Sequence, residues 1–241
     1  MTNLKGKVAL ITGASGGIGS AIARRLAQDG VDLLLCGRSA EKLEACCASV
    51  KEYGVRVHAF AIDLTESGAP ARCIEEAKRV FGRLDILINN AGMALSCPFE
   101  ETTEEQFDAI MHTNVRSPYF LSQAALPLLR ESDHATIINI ASVCAHKGYP
   151  LQSAYVASKH ALLGMTRSLA NEVYSEGIRV HVIAPGAVYT DMVRIARPDL
   201  TDEGMILPED IAEVAAFFVD HRTNAVVDEI QIHRAGKAPF A

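Results

Sequence analysis

Tyr155 and Lys159 stand four residues apart. On a helix that spacing places both on one face. An ammonium beside a phenol favours the phenolate and lowers its pKa. Tyr155 is then suited to give or take a proton near neutral pH. Alone, such a pair also arises by chance on solvated helices. Here it has company. Asn89-Asn90-Ala91-Gly92 follows one apolar run, and Ser142 follows another, thirteen residues before Tyr155. Asn114 sits inside a helical pattern, and Pro185-Gly186, Val188 and Thr190 close a further apolar run.

A second chemical feature lies near the start, in Thr12-Gly13-Ala14-Ser15-Gly16-Gly17-Ile18-Gly19. Glycines let backbone N–H groups approach a pyrophosphate, and a helix N-terminus favours negative charge. The spacing of Gly13, Gly17 and Gly19 is neither G-x-G-x-x-G nor a Walker A loop. A plain strand–helix joint would also use glycines. Gly13 to Gly17 matches the G-x-S-x-G elbow of serine hydrolases as well. That elbow needs earlier strands and an upstream oxyanion loop, and only seven residues precede Val8.

These residues need elements to hold them. Short, nearly continuous aliphatic runs occur at Val8–Thr12, Asp32–Cys36, Val55–Ala61, Leu84–Ile88, Thr136–Ile140, Arg179–Ile183 and Val226–Ile232. Such runs suit strands covered on both faces. Between them, 17–29, 40–52, 68–81, 103–129, 153–175 and 208–220 read as helices. Pro118 and Pro127 each remove a donor, so a kink or break is expected near each. Repeated strand–helix–strand units predict a doubly wound (Rossmann) α/β fold. Its seven parallel strands are flanked by helices on both faces, with ligands at their carboxyl ends. One dinucleotide-binding and catalytic domain is expected over 1–241, with a substrate lid at about 190–207.

Composition narrows the function. The 241 residues are 49% hydrophobic and 22% charged, with net charge −6. That argues against disorder, and against nucleic acid or an anionic membrane as the main partner. No apolar run reaches the ~20 residues that span a bilayer, and no export signal is read. The six cysteines form no C-x-x-C pair and are expected to be reduced thiols, Cys46 and Cys47 serving as packing. The eight histidines show no ligand spacing, so no metal site is expected. A cytoplasmic enzyme is the expectation.

From Val8 to about Ile232 the chain resembles the short-chain dehydrogenase/reductase family, in its roughly 250-residue branch. The TGASGGIG loop, the NNAG stretch, Asn114, Ser142, YVASK and PGAVYT carry the likeness, in order. It implies that Tyr155 exchanges a proton with the carbonyl or hydroxyl oxygen, which Ser142 also hydrogen-bonds. Lys159 would lower the tyrosine pKa and bind the nicotinamide ribose. Asn114 would hold a water that relays protons. Gly13, Ser15, Gly17, Ile18 and Gly19 would line the diphosphate, Asp63 and Leu64 the adenine, and Asn90 the adenosine ribose. Pro185, Gly186, Val188 and Thr190 would surround the carboxamide. Hydride transfer is then the cofactor's chemistry, between nicotinamide and a small carbonyl compound or alcohol.

An NAD enzyme of this fold needs an acid at the end of the second strand, for the ribose 2′-hydroxyl. Gly37 stands there, Asp32 is at the wrong end, and Arg38-Ser39 follow. A guanidinium suits a 2′-phosphate, so NADP(H) is the expected cofactor.

The likeness thins toward the end. Val227-Asp228-Glu229-Ile230 replaces the Val-Asp-Gly-Gly usual in 3-oxoacyl-carrier-protein reductases. The tail looks more like NADP-dependent hydroxy-acid or aldehyde reductases. A carrier-protein reductase, or a non-catalytic nucleotide-binding protein on this fold, remains the alternative. Met93, Ala94 and Leu95 would form one pocket wall, and Cys144, His146, Tyr149 and Leu151 the other. Arg194 and Arg197, three apart, would share a face over the pocket and could bind a substrate anion. The family association, and the faces of the 103–129 and 153–175 helices, favour a homotetramer.

Overall fold

The computed structural model describes residues 4–196 and 201–237. Seven parallel strands form one sheet in the order β3-β2-β1-β4-β5-β6-β7. They are β1 (Val8–Thr12), β2 (Asp32–Gly37), β3 (Val57–Ala61), β4 (Ile86–Asn89), β5 (Thr136–Ile140), β6 (Arg179–Pro185) and β7 (Glu229–Ile232). The helices are α1 (Gly17–Gln28), α2 (Ala40–Val50), α3 (Ala69–Phe81), α4 (Glu104–Met111), α5 (Ser117–Arg130), α6 (Ser153–Val173), α7 (Asp191–Ala196) and α8 (Pro208–Asp220). This is the expected doubly wound fold.

Every residue of β1, β2, β4 and β5 is buried. Alternate side chains serve opposite faces. Ala9 and Ile11 pack with residues of α1, α2 and α8, whereas Val8 and Leu10 pack with residues of α3 and α5. Three strands start later than expected, among them β4 at Ile86 rather than Leu84. β3 begins at Val57, and β7 at Glu229 because Val226 is 49% exposed and pairs with no strand.

The 103–129 stretch is not one helix. A capping box between Thr103 and Gln106 starts α4. A π-helical turn over His112–Arg116 then leads into α5. Pro118 explains the position. It has no N–H for the Asn114 carbonyl four residues back, and the ladder widens there, Ser117 donating its N–H to His112 O instead. Of the kink or break expected near Pro127, a break does not occur, since α5 runs through to Arg130.

The amino ends of the strands are tied by charge. Asp85 is fully buried and accepts from Val8 N at 2.8 Å, Ser132 Oγ at 2.5 Å and the Arg83 guanidinium at 2.6 and 2.9 Å. Asp32, also at an amino end, accepts from Arg56 N and Nε at 2.8 and 2.7 Å. The opposite edge carries Gly37, Asn89, Ile140 and Pro185, and is the edge where such folds bind ligands.

Candidate active site

The glycine loop leaves β1 and enters α1. Gly13 and Gly17 have φ of +63° and +52°, conformations that favour glycine. Gly19 is required for another reason: a Cβ there would lie 2.3 Å from Gly13 O. The N-cap Gly16 offers no side-chain cap, and the first turn of α1 holds no acid. The opening N–H groups of α1 therefore have no side-chain cap or acid of their own first turn to compete with an incoming anion.

Two residues fix the loop. Thr12 Oγ1 accepts from Asn90 N and Ala91 N, both at 3.0 Å. Asn90 Nδ2 donates to Thr12 O and Gly13 O at 2.9 and 3.1 Å. The Asn90 side-chain amide donates both of these bonds to the loop backbone. Thr12 had no assigned role in the sequence. Its only signal was its place before Gly13.

At the end of β2, a Cβ on Gly37 would lie 3.3 Å from Ser15 Oγ, so Gly37 and Ser15 adjoin. Arg38 is exposed beside them, and Ser39 Oγ caps α2 through Lys42 N at 3.3 Å. Asp63 accepts from Thr65 N and Oγ1, which with the Arg38 charge hold its carboxyl below the usual range. Leu64 is buried, and its carbonyl accepts from Ser117 Oγ. Ile18 is half-buried against the core.

After β6, Gly186 N donates to Ile232 O at 2.7 Å, and buried Val188 forms a bridge with Ile206. Thr190 Cγ2 lies 3.0 Å from where Gly17 would carry a Cβ. The segment leading into α7 thus rests on the glycine loop. Arg194 pairs with Asp191 at 3.2 Å, and Arg197 lies outside the described residues, as does 197–200 of the expected lid.

Asn114, Ser142, Tyr155 and Lys159 converge between these loops. Asn114 is 1% exposed, and its side chain is fully engaged. Oδ1 accepts from Met93 N, while Nδ2 donates to Met93 O and Ser158 Oγ, at 2.9 to 3.0 Å. Its side chain thus ties the NNAG loop to α6. Ser142 Oγ accepts from Cys144 N at 3.1 Å, which leaves its own proton to donate. Lys159 Nζ donates to Ile140 O at 2.9 Å and stands 5.7 Å from the centre of the Tyr155 ring. A Cβ on Gly92 would press on Asn114 Oδ1 at 3.3 Å and touch Lys159 Nζ at 3.8 Å, so Gly92 lies directly over both side chains.

Burial pushes the Tyr155 phenol up to about 12, against a smaller lowering by the Ser142 hydroxyl. Burial also brings Lys159 down to about 8. Desolvation disfavours the charged form of each group. The lysine is anchored to the Ile140 carbonyl beside the tyrosine ring.

No helix of the described residues is long and apolar enough to cross a membrane, and none of their side chains form a metal-binding cluster.

Comparison with known proteins agrees with this architecture. Residues 7–201 match the family model described as short chain dehydrogenase. An uncharacterised oxidoreductase of Staphylococcus aureus (strain USA300) is 34% identical, over 96% of this chain and 99% of its own. A 3alpha-hydroxysteroid dehydrogenase of Mediterraneibacter gnavus is 33% identical, over 94% and 95%. The solved structure of a metagenomic short-chain oxidoreductase in complex with NADP superposes with a TM-score of 0.85. It is 32% identical, over 98% of this chain and all of the other. The chain belongs to the short-chain dehydrogenase family of oxidoreductases, which use a nicotinamide nucleotide.

Proposed function

We propose that this protein is an NADP(H)-dependent oxidoreductase acting on the carbonyl or secondary alcohol of a small molecule. The observation that carries it is the convergence of Ser142, Tyr155 and Lys159 below Gly92, beside a glycine loop open to an anion. Bound nicotinamide supplies or takes the hydride. Ser142, its lone pair held by Cys144 N, donates to the reacting oxygen. Tyr155 exchanges the proton with that oxygen, and Lys159 meets the ribose hydroxyls. Gly13, Ser15, Gly17 and Gly19 hold the diphosphate, and Pro185, Gly186, Val188 and Thr190 the carboxamide. Asp63 and Leu64 border the adenine.

The choice of NADP(H) rests on exposed Arg38 with no acid at Gly37, where a Cβ would already press on Ser15. The solved relative in complex with NADP supports it. A screen of carbonyls with NADPH and NADH, and of alcohols with the oxidised forms, read by absorbance of the reduced cofactor, tests both points. Turnover of no compound with either cofactor overturns the assignment.

A homotetramer in the cytoplasm completes the proposal. The six free thiols suit that compartment. Exposed Phe107, Tyr119 and Phe120 on α4 and α5 offer an apolar face for association. Light scattering that gives a monomer of 25.9 kDa would refute the assembly.

A further inference from the structure

We infer that Gln152 determines substrate specificity, its side-chain N–H donating to a second oxygen on a substrate that carries one beyond the reacting carbonyl. This rests on the oxidoreductase assignment and refines its substrate class.

Gln152 is the N-cap of α6. Residues 152, 155 and 159 follow the i, i+3, i+7 spacing of one helix face. The Gln152 side chain therefore stands one turn before Tyr155, on the face that carries the catalytic pair. Cys144 links it to the centre from the other side. The Cys144 thiol donates to Gln152 Oε1 at 3.5 Å, and its backbone N–H donates to Ser142 Oγ. The same thiol is close enough to act on the charges of Tyr155 and Lys159. With Oε1 facing the thiol, the amide presents Nε2 away from it. No acceptor among the described residues takes Nε2, and it is not a buried orphan.

The backbone at this point supports a positional demand. Leu151, immediately before Gln152, has φ +64° and is the only non-glycine residue with positive φ among those described. Its carbonyl accepts from Cys97 N at 2.8 Å, stitching the loop after β4 to the loop before α6. A bulky residue in this conformation is strained and persists only where its surroundings impose it. Here the imposed turn sets where α6 begins and so where the Gln152 amide lies. Leu151 and Tyr149 expose apolar surface beside it, at 53% and 36%. The favoured substrate thus combines an apolar body, a reducible carbonyl and a separate hydrogen-bond-accepting oxygen. Cys144 acts as a positioning residue that fixes the amide's orientation.

The test compares 3- and 4-methoxycyclohexanone with the isosteric ethylcyclohexanones, in wild type, Gln152→Met and Cys144→Ala. Each pair has similar size and similar carbonyl reactivity. Steady-state kcat/KM and equilibrium binding by calorimetry are both measured. Wild type should prefer at least one methoxy isomer, and Gln152→Met should lower that methoxy-to-ethyl ratio about five- to tenfold, mainly through KM. Cys144→Ala, whose change lies off the helix, should lower the same ratio by a smaller factor. Absence of a methoxy preference in wild type overturns the inference. So does a ratio that Gln152→Met leaves unchanged in both turnover and binding. If wild type binds the methoxy compounds preferentially through Gln152 but reduces none, the specificity inference stands and the oxidoreductase assignment fails.

Discussion

Lys159 Nζ is hydrogen-bonded to the carbonyl oxygen of Ile140 at 2.9 Å, so the end of β5 holds the buried amine beside the Tyr155 ring. The amine titrates near 8 in the fold, below its ordinary 10.5. Between those values the unfolded chain binds more protons, so this residue makes stability rise with pH across that window. At neutral pH it costs the cofactor-free protein on the order of 3 kcal/mol. Lys159→Met should therefore raise the Tm by roughly 6–12 °C at pH 7, and the gain should shrink toward pH 10. Circular dichroism melts of both proteins from pH 7 to 10 provide the comparison. A variant less stable at pH 7 would show that the lysine stabilises the fold.

Tyr155 shifts the other way, from 10 to about 12. The folded state keeps the proton that the unfolded chain has lost, so this contribution to stability falls away above pH 10. Tyr155→Phe should flatten that loss. In the same variant turnover should drop at least ~100-fold while the cofactor still binds, the scale of a lost general acid. Near-normal turnover would remove Tyr155 from the proton transfer.

Arg38 is the only side chain named here to separate the two nicotinamide nucleotides. Lost pairing with a phosphate is worth about 1.5–3 kcal/mol. Arg38→Ala should narrow the NADPH-over-NADH ratio of kcat/KM by roughly 10- to 100-fold. Equal use of both by wild type would defeat the assignment before any variant is made.

Two glycines three residues apart should behave oppositely. A Cβ at Gly19 meets backbone at 2.3 Å, whereas one at Gly16 meets nothing within 4 Å. Gly19→Ala should lose about 1–3 kcal/mol of stability and weaken cofactor binding, because α1 must retreat from β1. Gly16→Ala should melt within a degree or two of wild type. Thermal melts with and without NADPH decide both.

The strands were legible because parallel strands buried on both faces are written as aliphatic runs; β1, β4 and β5 need no context to be read. The Tyr155–Lys159 spacing likewise translates directly into a shared helix face. Other features depend on partners far away in sequence. Pro118 marks a break, but its location falls four residues back, at the carbonyl Pro118 leaves without a donor. The upward shift of Tyr155 follows from the packing around its hydroxyl, which no local pattern encodes. Asn90 shows the same limit. Its type and place suggested a ligand contact but gave no sign that its amide also clamps Thr12 and Gly13, 78 and 77 residues earlier. Gln152 gave no local signal, since its meaning depends on Cys144 eight residues before it.

The Asp85 cluster stands at the far end of the strands from Tyr155, and a five-residue strand is about 15 Å long. Sites separated by more than about 7–10 Å, with no shared partner, contribute almost independently. Durability and selectivity are therefore adjustable by separate sets of substitutions in this molecule. An engineer seeking longer shelf life would redesign Arg83, Ser132 and their neighbours and expect the substrate profile to come through unaltered.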